Sequence, residues 1–321
     1  MTYFDCFNGD ADGICALTQL RLNHKVDSVL VTGVKRDINL LSKIVDRVES
    51  GDVVTVLDVS MDKNKQELLT ILGQGAHVFY CDHHYTGDLP NHPNLVSLVN
   101  IAPNVCTSLL INQHLNSAYL RWAVVGTYGD NLAKSAIELA KKSELTPAHL
   151  KVLQTLGVYL NYNGYGASID DLFFDPADLF RRTSLYKSPD EFMREDERTY
   201  KILEAGYHAD MRQAVETPAE SISDSAAVYI LPDTTWARRV SGVFGNELAN
   251  RAPDRAHAVV TEKDADHYLI SVRAPLNNKQ GADEVCRQFA SGGGRAAAAG
   301  INELPKQQLA HFIDVLSSYY A

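Results

Sequence analysis

Residues 77–85 of this 321-residue chain read His-Val-Phe-Tyr-Cys-Asp-His-His-Tyr. The apolar run over His77–Tyr80 is typical of a short β-strand, and it delivers a carboxylate and two imidazoles, Asp82, His83 and His84, to the strand end. Imidazole beside carboxylate suits a divalent metal or general acid–base work. A three-residue match of this kind is more often a polar strand end exposed to water. The triplet therefore indicates a site only if further carboxylates lie close to it.

Strands alternate with helices around this stretch. The pattern predicts strands over Thr2–Phe7, Ser28–Thr32, Asp52–Leu57, His77–Cys81 and Leu95–Val99, and helices from Ile14, over Ile38–Val48 and over about Lys63–Leu72. Further helices are predicted over Val105–His114, Tyr119–Val125, Leu132–Lys142 and Pro147–Leu160, with a glycine-flanked acidic turn at Gly126–Asn131. Such alternation predicts right-handed crossovers and a parallel sheet.

Acidic residues follow three of these predicted strands. Asp10 and Asp12 flank Ala11 in a turn with two glycines, Asp58 follows Leu57, and Asp82 follows Cys81. In a parallel sheet the ligand crevice lies outside the carboxyl ends of the strands, so the topology is expected to bring these carboxylates to one rim. Taken alone, the Asp-x-Asp-Gly turn is usually a loop or a helix N-cap, and Asp58 could cap the helix that follows it.

Crowded carboxylates raise one another's pKa, and a divalent cation reverses that cost. The oxygen-rich set suits Mn²⁺ or Mg²⁺ better than a thiolate-preferring ion. More carboxylates are present than one ion needs, so two ions sharing a bridging Asp58, roughly 3.5–4 Å apart, are expected. A structural role for His83 and capping roles for Asp58 and Asp130 remain the alternatives. The expected ligands are Asp10, Asp12, Asp58, His83 and Asp130.

A second, smaller α/β domain is predicted after a polar connector. The predicted spans are 1–185 for the first domain, 186–225 for a helical linker and 226–321 for the second domain. Its predicted strands are Ala227–Leu231, His257–Thr261 and His267–Arg273, and its predicted helices are Arg239–Asn250, Gly281–Phe289 and Gln307–Tyr319. A glycine- and alanine-rich run, 291–300, lies between the last two helices.

The ordered motifs resemble those of the DHH phosphoesterase family. The residues that carry the resemblance are Asn8-Gly9-Asp10-Ala11-Asp12-Gly13, Val56-Leu57-Asp58, Asp82-His83-His84 and Gly126-Thr127-Tyr128-Gly129-Asp130. The run Gly292–Gly300, with Ser271-Val272-Arg273 ahead of it, resembles the companion DHHA1 substrate-binding domain. The resemblance covers almost the whole chain. It implies a Mn²⁺-dependent phosphoester hydrolase, with Mg²⁺ or Co²⁺ as substitutes, whose active site lies in the cleft between the domains.

The resemblance also implies roles for individual residues. Asp82 would orient a ligating imidazole, and His84 would ligate metal or lie beside the scissile phosphate; which imidazole binds metal stays open. The residues expected to bind substrate are Arg273, Gly292, Gly293, Gly294 and Arg295, where the glycines would let backbone N–H groups approach a phosphate or base. A flexible turn entering a helix is the alternative for the glycines.

Three positions depart from the family pattern. Many members carry a histidine four residues before the first motif aspartate, where this chain has Cys6, so one metal is expected to bind more weakly. Asn8 stands where a third aspartate is frequent. Arg295 stands where histidine usually follows the glycine run, and its planar, permanently charged fork favours a terminal phosphate or a guanine edge.

Charge and composition limit the partners. The formal net charge is −10, so no overall basic surface exists to hold long nucleic acid, and any nucleic-acid substrate should be short. Five scattered cysteines without Cys-x-x-Cys spacing fit reduced thiols in a cytosol. Neither a secretory signal nor an apolar run of about 20 residues occurs, which favours a cytoplasmic protein without a membrane partner. The Tyr319-Tyr320 tail is expected on the surface or in an oligomer contact, such as a homodimer.

The expected function is hydrolysis of short oligonucleotides to mononucleotides, with linear dinucleotides such as pGpG foremost. The alternatives within the class are a phosphatase acting on pAp and a cyclic-dinucleotide phosphodiesterase. A different class stays open as well: because of Cys6 and Arg295, the chain could be a nucleotide-binding regulator on a degraded DHH scaffold.

Overall fold

The computed structural model describes residues 1–143 and 145–321. They form two compact units, Met1–Ala205 and Gly206–Ala321. No helix within the described part of the chain is both long enough and apolar enough to cross a membrane.

The first unit contains a five-stranded sheet in which every strand is parallel to its neighbours. Its spatial order is β2-β1-β3-β4-β5, so the crossover topology expected from the sequence is confirmed. The strands are β1 Tyr3–Phe7, β2 Val29–Val31, β3 Val53–Leu57, β4 His77–Asp82 and β5 Leu95–Val99. Buried aliphatic side chains cover the sheet around Val54, Val56 and Val78, as expected where helices cover a parallel sheet.

Nine α-helices begin in the described residues of the first unit. They are α1 Ala11–Asn23, α2 Lys65–Gly73, α3 Thr107–His114, α4 Leu120–Gly129, α5 Ala133–Ala140, α6 Pro147–Asn163, α7 Pro176–Thr183, α8 Pro189–Glu195 and α9 Glu197–Glu216. Short 3₁₀ helices cover Leu40–Lys43, Asp62–Asn64 and Ile169–Asp171. The last helix, α9, continues into the residues of the second unit.

The helix predicted over Ile38–Val48 is wrong. Only a 3₁₀ turn forms there, at Leu40–Lys43. The side chain of Asn64 forms hydrogen bonds with backbone groups that would otherwise form helical hydrogen bonds. It donates to the Ile38 carbonyl and accepts from the Leu41 N–H. Leu40, Leu41 and other apolar side chains of the segment are still buried, so the helical spacing of apolar residues reflected burial without a helix.

The glycine-flanked turn predicted at Gly126–Asn131 is also wrong, since Gly126–Gly129 is the last turn of α4. A Cβ at Gly126 would lie 2.2 Å from Ser108 Oγ, and a Cβ at Gly129 would lie 2.3 Å from the Ala11 Cβ. These glycines therefore allow α4 to pack closely on α1 and α3, which places Asp130 at the end of α4.

The second unit contains a mixed six-stranded sheet of order β10-β11-β9-β8-β7-β6. Its strands are β6 Ala219–Ile222, β7 Ala226–Leu231, β8 Ala256–Glu262, β9 His267–Arg273, β10 Gly292–Arg295 and β11 Ala298–Pro305, and its helices are α10 Thr235–Arg251, α11 Ala282–Cys286 and α12 Leu309–Tyr319. A 3₁₀ turn, Lys306–Gln308, precedes α12. Val259 and Val260 belong to different apolar clusters, so both faces of this sheet are covered.

The glycine run forms a β-hairpin, so a turn that enters a helix is wrong for this segment. Strand β10 pairs antiparallel with β11 at the sheet edge. A Cβ at Gly292 would overlap the Cys286 carbonyl, at 1.7 Å, and Gly294 has a φ of +143°. Gly292 and Gly294 are thus required by packing and backbone conformation, whereas a Cβ at Gly293 would meet nothing within 4 Å.

Candidate metal centre

The carboxyl ends of β1, β3 and β4 bring the motif residues of the first unit together. The segment after β1 carries Asp10 and Asp12, and Asp58 follows β3 directly. Strand β4 ends at Asp82, and the two histidines come next. Because β1, β3 and β4 are adjacent in the sheet, these side chains meet at one rim.

His83 lies at the centre of the cluster. Its Nε2 atom is 3.3 Å from Asp58 Oδ1, 3.8 Å from Asp130 Oδ2 and 3.9 Å from Asp12 Oδ2. Candidate ligand atoms of Asp12, His83 and Asp130 all lie within 4.8 Å of one another, as do those of Asp58, His83 and His84. The imidazole therefore faces three carboxylates from three different segments of the chain.

Asp12 and Asp58 are both held by hydrogen bonds from neighbouring segments. Asp12 accepts the N–H groups of Thr107 and Ser108, both at 2.7 Å, so its carboxylate lies at the N-terminus of α3. Asp58 adopts a left-handed φ of +59°, a conformation that aspartate tolerates better than most residues. Its N–H donates to the Cys81 carbonyl, and its Oδ1 accepts from Thr107 Oγ1 at 3.2 Å.

Asp82 orients His84. The Asp82 Oδ1 atom lies 2.7 Å from His84 Nδ1, so the carboxylate accepts the Nδ1–H and leaves Nε2 as the outward nitrogen. This hydrogen bond, opposed by burial, raises the pKa of His84. Asp82 Oδ2 is buried and has no hydrogen-bond partner among residues 1–143 and 145–321. Of the two imidazoles, His84 is the one that Asp82 fixes.

The electrostatics of this cluster favour a bound cation. Burial, together with the neighbouring charges of Asp12 and Asp10, raises the pKa of Asp58 well above its usual range. The same causes raise the pKa of Asp130 to about 8. A divalent ion of this kind lies about 2.1 Å from oxygen ligands, which puts neighbouring ligand atoms about 3 Å apart. The donor types and the short separations around His83 Nε2 fit such an ion.

Asp10 is engaged differently from the other carboxylates. It is the N-cap of α1, where its Oδ1 accepts the N–H groups of Asp12 and Gly13. Its Oδ2 lies 2.5 Å from the ammonium of Lys35. Although burial alone would raise the pKa of Asp10, the charge of Lys35 lowers it. Capping, an alternative that the sequence left open, therefore applies to Asp10.

Comparison with known proteins finds its matches in three-dimensional structure. No protein-family model matches the sequence, and no curated protein matches it either. RecJ from Thermus thermophilus, solved with Mn²⁺, aligns with 99% of this chain at a TM-score of 0.61 and 16% identity. The pGpG-specific phosphodiesterase PggH from Vibrio cholerae aligns with all of it at a TM-score of 0.59 and 12% identity. The chain has the fold of the DHH/DHHA1 phosphoesterases.

The extent of these matches differs. This chain spans about half of RecJ, 52% of that chain, but 99% of PggH. CDC45 from Entamoeba histolytica also aligns, with a TM-score of 0.50, 10% identity and 95% of its chain covered. The prediction of a DHH-type parallel sheet followed by a second α/β domain is confirmed by these alignments together with the observed sheets.

In the second unit of this DHH/DHHA1 fold, the two arginines expected to bind substrate differ in their surroundings. Arg273 donates to the Asn246 and Ser271 side chains and to the carbonyls of Val272 and Gly242, at 2.7–3.1 Å. Arg295 is exposed at the end of β10, and the described residues offer its guanidinium no hydrogen bond or ion pair. Arg273 is held by the protein, whereas Arg295 is open to a ligand.

Two parts of the DHH-fold site were not predicted from the sequence. Lys35 follows β2 and reaches Asp10, and the N-terminus of α3 holds Asp12. A signal for Lys35 existed, because it follows a strand end on the same rim as the aspartates. No sequence pattern marks the α3 contact, since Thr107 and Asp12 are 95 residues apart.

The raised pKa of Asp130 predicts a pH-dependent stability of the metal-free protein. The folded state holds this proton between the usual aspartate pKa of 3.8 and about 8, where the unfolded chain has lost it. The stability that the protonated Asp130 contributes is thus fully present below about pH 4 and is lost as pH rises through about 8. Thermal melting in chelator should show Tm falling across this window, and Asp130→Asn should reduce the slope.

Exposed Asp46 offers a matched control within the same unit. Asp46→Asn should leave the slope of Tm against pH as it is in the wild type. An Asp130→Asn protein with the wild-type slope would contradict the assignment of this proton to Asp130.

Proposed function

We propose that this protein is a Mn²⁺-dependent phosphodiesterase that hydrolyses short linear oligonucleotides, with dinucleotides of the pGpG type foremost, to mononucleotides. The observation that carries the proposal is the cluster around His83 Nε2, where three carboxylate oxygens lie 3.3–3.9 Å away. They come from Asp58 after β3, Asp12 in the first turn of α1 and Asp130 at the end of α4. This is a donor set for a hard divalent ion, and phosphoryl transfer is chemistry that such ions support.

The side chains of the cluster have three different tasks in this proposal. Asp12, Asp58, His83 and Asp130 hold the cation, which when bound polarises a phosphoryl oxygen and lowers the pKa of a coordinated water. Asp82 is a positioning residue that fixes the His84 ring through Nδ1. His84 keeps Nε2 outward, and its raised pKa favours the protonated form, so His84 can donate a proton to the departing oxygen.

The proposed substrate is short for two reasons. The formal net charge of −10 disfavours a long polyanion, whose binding relies on many basic contacts. PggH, which is pGpG-specific, has nearly the same length as this chain and aligns with all of it. Arg295, exposed at the end of β10, is the proposed contact for a terminal phosphate or a guanine edge, because its planar fork suits both.

A substrate panel tests the proposal. The purified chain with Mn²⁺ is incubated with pGpG, pApA, pAp and cyclic di-GMP, and the products are separated by nucleotide chromatography. We expect mononucleotides from the linear dinucleotides, with pGpG consumed fastest and chelator stopping the reaction. Mg²⁺ and Co²⁺ arms of the same panel establish which ions support turnover.

Each other result identifies a different function. Phosphate release from pAp alone would indicate a pAp phosphatase and not a dinucleotide hydrolase. Preferential opening of cyclic di-GMP would indicate a cyclic-dinucleotide phosphodiesterase. Nucleotide binding in calorimetry without turnover under any of the three ions would favour a regulator on a DHH scaffold. The His83→Ala variant is the matched control for the whole panel, because it removes the imidazole that the three carboxylates face.

A further inference from the structure

Lys35 lies at the edge of the acidic cluster. Its Nζ is 2.5 Å from Asp10 Oδ2 and 2.9 Å from Asn161 Oδ1. The charges of Asp10 and Asp130 both act on this ammonium, so Lys35 is close enough to both carboxylates to balance part of their charge. A fixed cation of the chain itself therefore lies among the acidic side chains.

The position of Lys35 is fixed along its whole length. The Lys35 N–H donates to the Gly164 carbonyl at 2.8 Å, and its own carbonyl accepts from Asn8 Nδ2. The ammonium lies 5.8 Å from the centre of the Tyr165 ring, within reach of a cation–π contact. With backbone and side chain both anchored, the ammonium is a built part of the site and not a mobile surface charge.

Cys6 gives an independent observation. This strand β1 residue stands where the resemblance leads one to expect a histidine ligand, yet its side chain is fully buried among the apolar residues beneath the sheet. Burial raises the pKa of the Cys6 thiol, so the thiolate that a metal requires is disfavoured. Near Asp10 the chain thus supplies an ammonium in place of a further ligand.

The remaining candidate ligands all lie close to His83. Two groups among the described residues could hold a metal ion, Asp58–His83–His84 and Asp12–His83–Asp130, and they share His83. Asp10 belongs to neither group. One of its oxygens caps α1 and the other lies against the Lys35 ammonium.

We propose that the Lys35 ammonium takes the place of a second divalent cation beside Asp10, so that the centre binds one ion, held by Asp12, Asp58, His83 and Asp130. This replaces the expectation of two ions sharing Asp58. It rests on the proposed metal site, although not on turnover. The Lys35 side chain stays 27% exposed, so a phosphoryl oxygen of the substrate can reach Nζ and receive there a hydrogen bond from a fixed positive charge.

Counting bound manganese tests the proposal without any reaction. The chain is stripped with chelator, equilibrated with Mn²⁺, and analysed for metal per chain and for its Mn²⁺ paramagnetic resonance spectrum. We expect one tightly bound ion with the hyperfine pattern of an isolated Mn²⁺. Asp10→Asn should keep that ion with its Kd within about threefold, whereas His83→Ala should weaken Kd by more than the roughly 10–100-fold cost of losing a supporting residue.

Substitutions of Lys35 provide the matched pair. Lys35→Met keeps the length of the stem and removes the charge, so a second, weaker ion should bind beside Asp10, whereas Lys35→Arg should still bind one. Two tightly bound ions in the wild type, or loss of the single ion in Asp10→Asn, would overturn the proposal. One bound ion without hydrolysis would contradict the proposed function but not this inference. Two bound ions with hydrolysis would contradict this inference but not the proposed function.

Discussion

Replacing Asp58 by asparagine is expected to lower manganese-dependent turnover by at least about 100-fold, more than the 10–100-fold typical of residues that only support a ligand. Asparagine keeps the shape of the side chain and tolerates the left-handed φ of +59° at this position. It removes the negative charge that faces His83 Nε2 at 3.3 Å. Steady-state hydrolysis of pGpG with Mn²⁺ measures the loss.

The same substitution should stabilise the metal-free protein. Burial and the charges of Asp12 and Asp10 raise the pKa of Asp58 well above its usual range, so at pH 8 its ionised form costs stability that asparagine avoids. The Tm of Asp58→Asn in chelator should therefore exceed that of the wild type. Mn²⁺ should raise the Tm of the wild type and have little effect on the variant.

These opposite changes separate loss of function from loss of fold. Asp46→Asn, an exposed change in the same unit, should alter neither turnover nor the rise of Tm with Mn²⁺. An Asp58→Asn protein that kept more than about a tenth of wild-type turnover would exclude Asp58 as a ligand needed for catalysis. Reduced turnover with a lower Tm in chelator would point to damaged structure instead.

Replacing Arg239 by alanine is expected to destabilise the second unit by about 3–5 kcal/mol, the usual cost of leaving one member of a buried ion pair alone. Arg239 and Asp210 are both buried, with relative exposures of 9% and 3%. Their side chains meet in two parallel hydrogen bonds, Nε to Oδ2 at 2.7 Å and Nη2 to Oδ1 at 3.1 Å. Urea unfolding followed by circular dichroism measures the change.

The adjacent arginine provides the matched control. Arg238 pairs with Asp233, whose side chain is 46% exposed, so Arg238→Ala should cost no more than about 1 kcal/mol. Replacing Arg239 by methionine and Asp210 by leucine together should recover much of the loss, because no buried charge is then left unpaired. Equal costs for the two single alanine variants would show that the buried pair has no special role.

The strands were the part of the fold most accessible from the sequence. The predicted bounds of β1 to β5 differ from the observed ones by at most one residue at each end, because short apolar runs bounded by polar or turn-forming residues leave few alternatives. The helices were predicted less accurately than the strands. Asn64 satisfies backbone groups in the predicted Ile38–Val48 helix, and Gly126 and Gly129 serve close helix packing instead of a turn. Both effects come from residues distant in sequence.

The candidate site divides in the same way. Its members were visible as motif residues, and the structure brings Asp12, Asp58 and Asp130 within 3.3–3.9 Å of His83 Nε2. Their assignment as ligands stays a prediction, as do the roles of Asp10, Asp82 and His84. Composition alone did not predict the structure of the glycine run, in which Gly292 and Gly294 are needed for a hairpin. Arg273, expected to bind substrate, donates hydrogen bonds to groups of its own domain.

The sequence by itself determined which strands form the parallel sheet and which acidic and imidazole groups follow them, because side-chain alternation and topology fix where a strand ends. Only the tertiary structure decided how those groups are used. Lys35 reaches Asp10 from 25 residues away and Asn161 from 126. Asp82 is hydrogen-bonded to His84. Such contacts depend on distances of a few ångströms between segments that only folding brings together.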